Sequence, residues 1–136
     1  MDAQIVARND ASRQRLRDLV GRLDDTAYGR EVAPGWTVTA TLAHLAFWDQ
    51  SCIARWDEYA RTGAISEFGD RLIDVVNEAS LPAWRALSGA AACEWAVAAA
   101  EGADGRTATL DEAAIRYATD HGRGFILDRA EHRSAH

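Results

Sequence analysis

From Thr37 to Arg61 the apolar residues Val38, Leu42, Leu45, Cys52, Trp56 and Tyr59 return at roughly 3.6-residue intervals. No other stretch of the chain constrains the fold as strongly. A strand alternates its side chains with a period of two, so this spacing sits only on a helix that buries one face. Thr37, just ahead of the run, carries a hydroxyl that can accept from the free N–H groups of a first turn, which sets the start of the helix.

The same period marks the rest of the chain. Ile5, Leu16, Leu19, Val20 and Leu23 predict an amphipathic helix from about Asp2 to Leu23, with Gly21 weakening its end. The run DDTAYGREVAPGW from Asp24 to Trp36 carries turn formers and Pro34-Gly35, and is expected to be a loop. From Asp70, the residues Leu72, Ile73, Val76, Ala79, Ala83 and Leu87 resume the pattern. Pro82 lies inside this third stretch and predicts a kink or a restart near Ser80, because it lacks an amide donor and clashes with the preceding turn. Ser88 is placed to cap a further segment running to about Ala100, and Gly102 to Gly105 reads as a turn. Thr109-Leu110-Asp111-Glu112 spells a capping box, so a last helix is expected to begin there. Gly122 and Gly124 are expected to bend or interrupt it before Phe125 to His136 continues. No strand-like alternation or internal repeat is visible.

Of the 136 residues 28 are Ala, so large apolar side chains are scarce and packing must come from Leu, Val, Ile and the five Trp. Such a composition suits closely spaced helices. The expectation is one all-α domain over residues 1–136, a bundle of four main helices.

Charge and composition exclude several functions. At a formal charge of -6, with its 15 Arg scattered along the chain, the protein would repel nucleic-acid phosphates and anionic lipid. No run approaches the roughly 20 apolar residues of a membrane span, and Met1 to Leu23 is too charged for a signal peptide, so a cytoplasmic location is expected. All the basic residues are Arg, which removes a Schiff-base lysine and a P-loop lysine; the GRG at 122–124 also lacks the strand that a phosphate loop needs. Cys52 and Cys93 have no CxxC spacing and read as reduced core residues.

The chemistry rests on histidine. His132 and His136 are four apart, which on a helix turns the second side chain by about 40° and raises it about 6 Å, so both imidazoles can converge on one ion. A solvated pair near a helix C-terminus is the plain alternative. His44 sits in the middle of the best-defined helix, in LAHLAFWD, where a lone His is usually a hydrogen-bonded core residue. Three His from two helices, however, would leave coordination sites open, the arrangement of a catalytic metal. Asp128 lies one turn before His132. Asp128, His132 and His136 are therefore expected to line one face, with Asp128 orienting a ligand imidazole, binding the ion directly, or forming an ordinary exposed pair. Glu131 and Arg133 are expected to face solvent, and His121 is a reserve ligand only if the helix ran straight through Gly122 and Gly124. Asp49 interrupts the apolar stripe and, once buried, would need an Arg partner or a role as a base. Trp48 is close enough to His44 to wall a cleft.

Taken together, GWTVTATLAHLAFWDQ, the later DVVNEA and the terminal LDRAEHRSAH resemble the DinB/YfiT-like superfamily of small four-helix bundles, which includes mycothiol- and bacillithiol-dependent transferases and the maleylpyruvate isomerase N-terminal domain. The resemblance covers nearly the whole chain. It matches Trp36, Thr37, Val38 and His44 at the opening, and His132 and His136 at the family's HxxxH. It implies a divalent ion, commonly zinc or nickel, held by His44, His132 and His136, and a homodimer; the spacing of Asp128 makes it a candidate to orient one of those imidazoles. The function expected is a metal-dependent enzyme that activates a thiol such as mycothiol, or water, for attack on a small electrophile. A non-catalytic protein that sequesters a small molecule in the same cleft is the rival expectation. Family members usually run on past the second His of HxxxH, and a ligand on a final residue would be prone to fray.

Overall fold

The computed structural model describes residues 1–136. Helix α1 spans Ala3–Arg22, α2 Asp25–Tyr28, α3 Val38–Thr62, α4 Asp70–Ala86, α5 Gly89–Ala108, α6 Glu112–Asp120 and α7 Ala130–Ser134, with a single 3-10 turn at Gly124–Ile126. α1, α3, α4 and α5 are the four long helices of an all-α bundle; the apolar periodicity predicts the first three, and the Ser88 cap the fourth. Several starts are fixed by their expected residues: Thr37 accepts from the amide of Ala40 and Ser88 from that of Ala91.

Alanine sets how the helices pack. Eleven of the 22 buried apolar residues are Ala. Leu42 and Ala46 of α3 meet Ala92, Ala96, Ala99 and Ala100 of α5, with Leu16 of α1 completing this part of the core. Side chains this short bring two helix backbones close together. A second part of the core joins Cys52 and Trp56 of α3 to Ala114, Ala118, Ile126 and Leu127, and a third sets Trp84 of α4 against Ala40 and Ala43.

Five expectations are corrected. The Asp24–Trp36 loop holds α2 and a small antiparallel hairpin, β1 Glu31–Ala33 with β2 Trp36–Thr37. Gly35 sits there at φ 79°, the left-handed conformation that a Pro-Gly turn demands of its glycine. Pro82 does not restart α4, which is one helix from Asp70 to Ala86; packing of Leu81 and Trp84 against α3 outweighs the one hydrogen bond the proline lacks. Gly102 and Gly105 make no turn, because α5 runs through them to Ala108. A Cβ on Gly102 would come within 2.9 Å of Ile53 Cδ1, so this glycine serves the close approach of α3 rather than a reversal. The cap of α6 is Asp111, which accepts from the amide of Ala114, while the Thr109 hydroxyl donates back to Arg106 O. Finally, the segment after Gly122 does not continue as one helix: the 3-10 turn and the non-helical pair Asp128-Arg129 intervene before α7.

Candidate metal centre

Three imidazoles meet at one end of the bundle. His44 comes from α3, His132 from α7 and His136 from the residues just after it, and one ligand atom of each lies within 4.8 Å of the others. The ring centroids of His136 are 4.7 Å from His44 and 5.1 Å from His132. Trp36 and Trp84 stand edge-on to His44 at 5.4 and 5.7 Å, which is what the hairpin and α4 contribute to the site.

The donor set fits a tetrahedral ion. His44 Nε2 and His132 Nε2 are 3.2 Å apart. Nitrogens about 2.0–2.1 Å from a zinc ion occupy tetrahedron corners about 3.3–3.4 Å apart, so these two nitrogens stand at the spacing of two ligands on one ion. Burial holds His44 down to about 4, helped by the neighbouring His136, and His132 down to about 3, helped by the Arg129 guanidinium. Burial also lowers His136. All three are therefore neutral near pH 7 and carry the lone pair that a metal needs.

Hydrogen bonding fixes where the protons sit. Arg129 Nη2 donates to His132 Nδ1 at 3.0 Å, so neutral His132 carries its proton on Nε2. That proton goes to His44 Nε2, which places the His44 proton on Nδ1. His44 Nδ1 is buried without a partner. His44 is thus already in the tautomer that presents Nε2 to an ion, whereas His132 must move its proton and loosen from Arg129 to do the same.

A buried ionic network holds the His-bearing segment in place. Asp49 accepts from Arg129 Nε at 2.8 Å and from Arg133 Nε at 3.0 Å. Arg133 also clamps Asp104 of α5 with two bonds of 2.8 Å, and Arg13 of α1 reaches the same carboxylate at 2.7 Å. Asn9 of α1 accepts from the Arg129 amide and donates to Leu127 O. The two arginines that flank His132 are thereby tied to α1, α3 and α5.

Asp49 is buried and paired with Arg, the partner its burial demanded. Arg133, expected in solvent, is 7% exposed and belongs to the network; Glu131 is exposed. Asp128 does not share a helix face with His132 and His136, because α7 begins after it. Its carboxylate pairs with Arg8 at 2.7 Å and caps the Ala130 amide, so it meets α1 rather than an imidazole. His121 stacks on Tyr117 with centroids 4.1 Å apart, away from the three-His cluster, since Gly122 at φ 66° ends α6. Trp48 does wall the cleft, and its indole donates to Asn77 Oδ1 at 2.8 Å, which gives the DVVNEA stretch a place there.

Three cavities meet at His136, one of them a space of about 390 Å³ between the hairpin, Thr41 and Asn77. Another, of about 290 Å³, is lined by His44, Trp48, Ser51, Arg55, Asn77 and His132 among others; a third, of about 280 Å³, is walled by leucines of α1 and α3 with Val32 and Val38. Arg55 was not marked by periodicity or spacing in the sequence.

With this geometry in hand, the comparison with known families is decisive on kinship. The profile of the DinB superfamily matches residues 8–131. The chain belongs to the DinB superfamily. The match takes in His44 and ends one residue before His132, so the last two imidazoles of this DinB protein are placed by its structure. No curated protein and no solved structure matches the chain.

Proposed function

We propose that the protein is a metal-dependent DinB enzyme that holds one divalent ion, zinc or nickel, on His44, His132 and His136. The observation that carries this reading is the convergence of three neutral imidazoles from two segments at the junction of three cavities. When bound, such an ion supplies Lewis acidity that lowers the pKa of a thiol or water and so provides a nucleophile at neutral pH. The chain's own residues do the rest. Asp49 and Arg133 fix the backbone that carries His132, and the indoles of Trp36, Trp48 and Trp84 keep the cleft lined and its water restricted. The substrate is a small electrophile, and a low-molecular-weight thiol such as mycothiol is the partner nucleophile. Leu72 and Val75, exposed one turn apart on α4, support a homodimer that covers this face.

The test is turnover. Zinc- and nickel-loaded protein is incubated with monobromobimane, with and without a small thiol, and product is followed over many equivalents. Catalytic turnover that disappears in His44→Ala supports the enzyme. Uptake that stops at one equivalent per chain would instead show sequestration.

A further inference from the structure

Four arginines are buried, and three of them have partners. Arg129 and Arg133 pair with Asp49, Arg133 also with Asp104, and Arg123 donates to Ser66 O with Glu67 at 3.4 Å. Arg55 is 6% exposed, yet no carboxylate or carbonyl receives its guanidinium, and its Nε is fully buried without a partner. Its Cζ lies 4.4 Å from the centroid of Phe68 and 5.4 Å from that of Phe125. A cation–π contact offsets part of the lost hydration, but it fills none of the five N–H donors. Burial pushes the group below its ordinary pKa, the mark of a cation without a counter-charge.

Arg55 also has the right address. His44, Trp48, Ser51, Cys52 and Arg55 all line the 290 Å³ cavity, and they recur on one face of α3. Arg55 is three turns beyond His44, about 16 Å along the helix axis, on the wall of the same cavity. Phe125, 49% exposed, lines the same cavity, and Phe68, 41% exposed, lies against the same guanidinium. Two uncovered aromatic rings around an unpaired buried cation make a seat for a charged group attached to a flat apolar body. Arg129 lines the cavity too, but Asp49 already neutralises it, so the free charge is that of one guanidinium.

We propose that Arg55 is the anion-binding residue of this cleft and that the small molecule bound beside the three-His cluster is a monocarboxylic acid with a planar or apolar body. The guanidinium fork matches a carboxylate with two parallel hydrogen bonds. One cation suits a monoanion better than a phosphate dianion. The proposal deepens the functional reading above and rests on it for the identification of the cleft as the substrate site.

The experiment titrates metal-free and zinc-loaded protein with benzoate, benzamide and inorganic phosphate, following the Arg55 Nε–Hε resonance by NMR and binding by calorimetry. Benzoate should shift that resonance saturably in metal-free protein, and benzamide should bind about tenfold more weakly or less. Arg55→Gln should lose benzoate affinity by about tenfold or more, and Arg55→Lys by less. An Arg55 resonance unmoved by benzoate, equal binding of benzamide, tighter binding of phosphate, or wild-type affinity in Arg55→Gln would each overturn the proposal. Should Arg55→Gln fail to fold, the resonance and the benzoate–benzamide comparison in wild type decide alone. Zinc uptake is measured on the same samples. Arg55-dependent benzoate binding without zinc uptake leaves the anion site standing and removes the metal reading, whereas zinc uptake without benzoate binding does the reverse.

Discussion

His132 answers to two neighbours that want opposite things from it. Metal-bound imidazoles normally donate their other ring N–H to an acceptor, yet here Arg129 donates to His132 Nδ1. Replacing the donor by an acceptor should favour the metal-bound tautomer, so Arg129→Gln is expected to bind zinc roughly tenfold more tightly. The same change leaves Asp49 with Arg133 alone and should cost about 3 kcal/mol of metal-free stability. A competition titration paired with denaturant melts reads both. The imidazoles also set a pH dependence. Because the folded-state pKa values of His44 and His132 are below that of an unfolded His, the unfolded chain binds the extra protons. Metal-free stability is therefore complete above pH ~6.5 and falls as pH drops toward 4, by on the order of 2 kcal/mol for each ring. Denaturant unfolding across that range should show a shallower fall in His132→Gln than in wild type; identical slopes would contradict the burial of the ring.

Between elements, the tightest demand falls where α5 starts. A Cβ on Gly89 would come within 2.1 Å of the Tyr28 ring, so Gly89→Ala must push α2 off the bundle and is expected to cost about 1–3 kcal/mol, seen as a lower melting temperature. Asp49→Ala releases α7 from α3, and should cost about 3–5 kcal/mol and weaken metal binding by roughly 10–100-fold. The contrast between these elements explains what the sequence made legible. The long helices were readable because a 3.6-residue stripe and a cap are local signals, as at Thr37 and Ser88. Gly102 and Pro82 were misread because their effect depends on what lies opposite: Ile53 for the glycine, and the Ala40–Ala43 face for the stretch around the proline. The three His were found from spacing and resemblance, and they do come together. Arg55, Arg129 and Arg133 were not singled out as site residues, since an arginine in a sequence looks the same whether it meets water, Asp49 or a ring. Asp49, a charge in an apolar stripe, was the one local hint of the network that holds α7.

For the molecule as a whole, an Ala-rich core presses the long helices together, and a buried ionic network fastens a short C-terminal helix across them. A homodimer through α4 predicts that Leu72→Glu with Val75→Glu yields a monomer in sedimentation, while wild type sediments as a dimer at micromolar concentration. The central claim is that the ends of α3 and α7 are brought together around one ion. Metal content and zinc affinity of wild type, His44→Ala and the His132→Ala, His136→Ala double variant test it directly. Wild type should hold one ion per chain, and each variant should lose roughly 100-fold or more in affinity with its helical circular dichroism unchanged. Wild-type affinity in both variants would contradict the account.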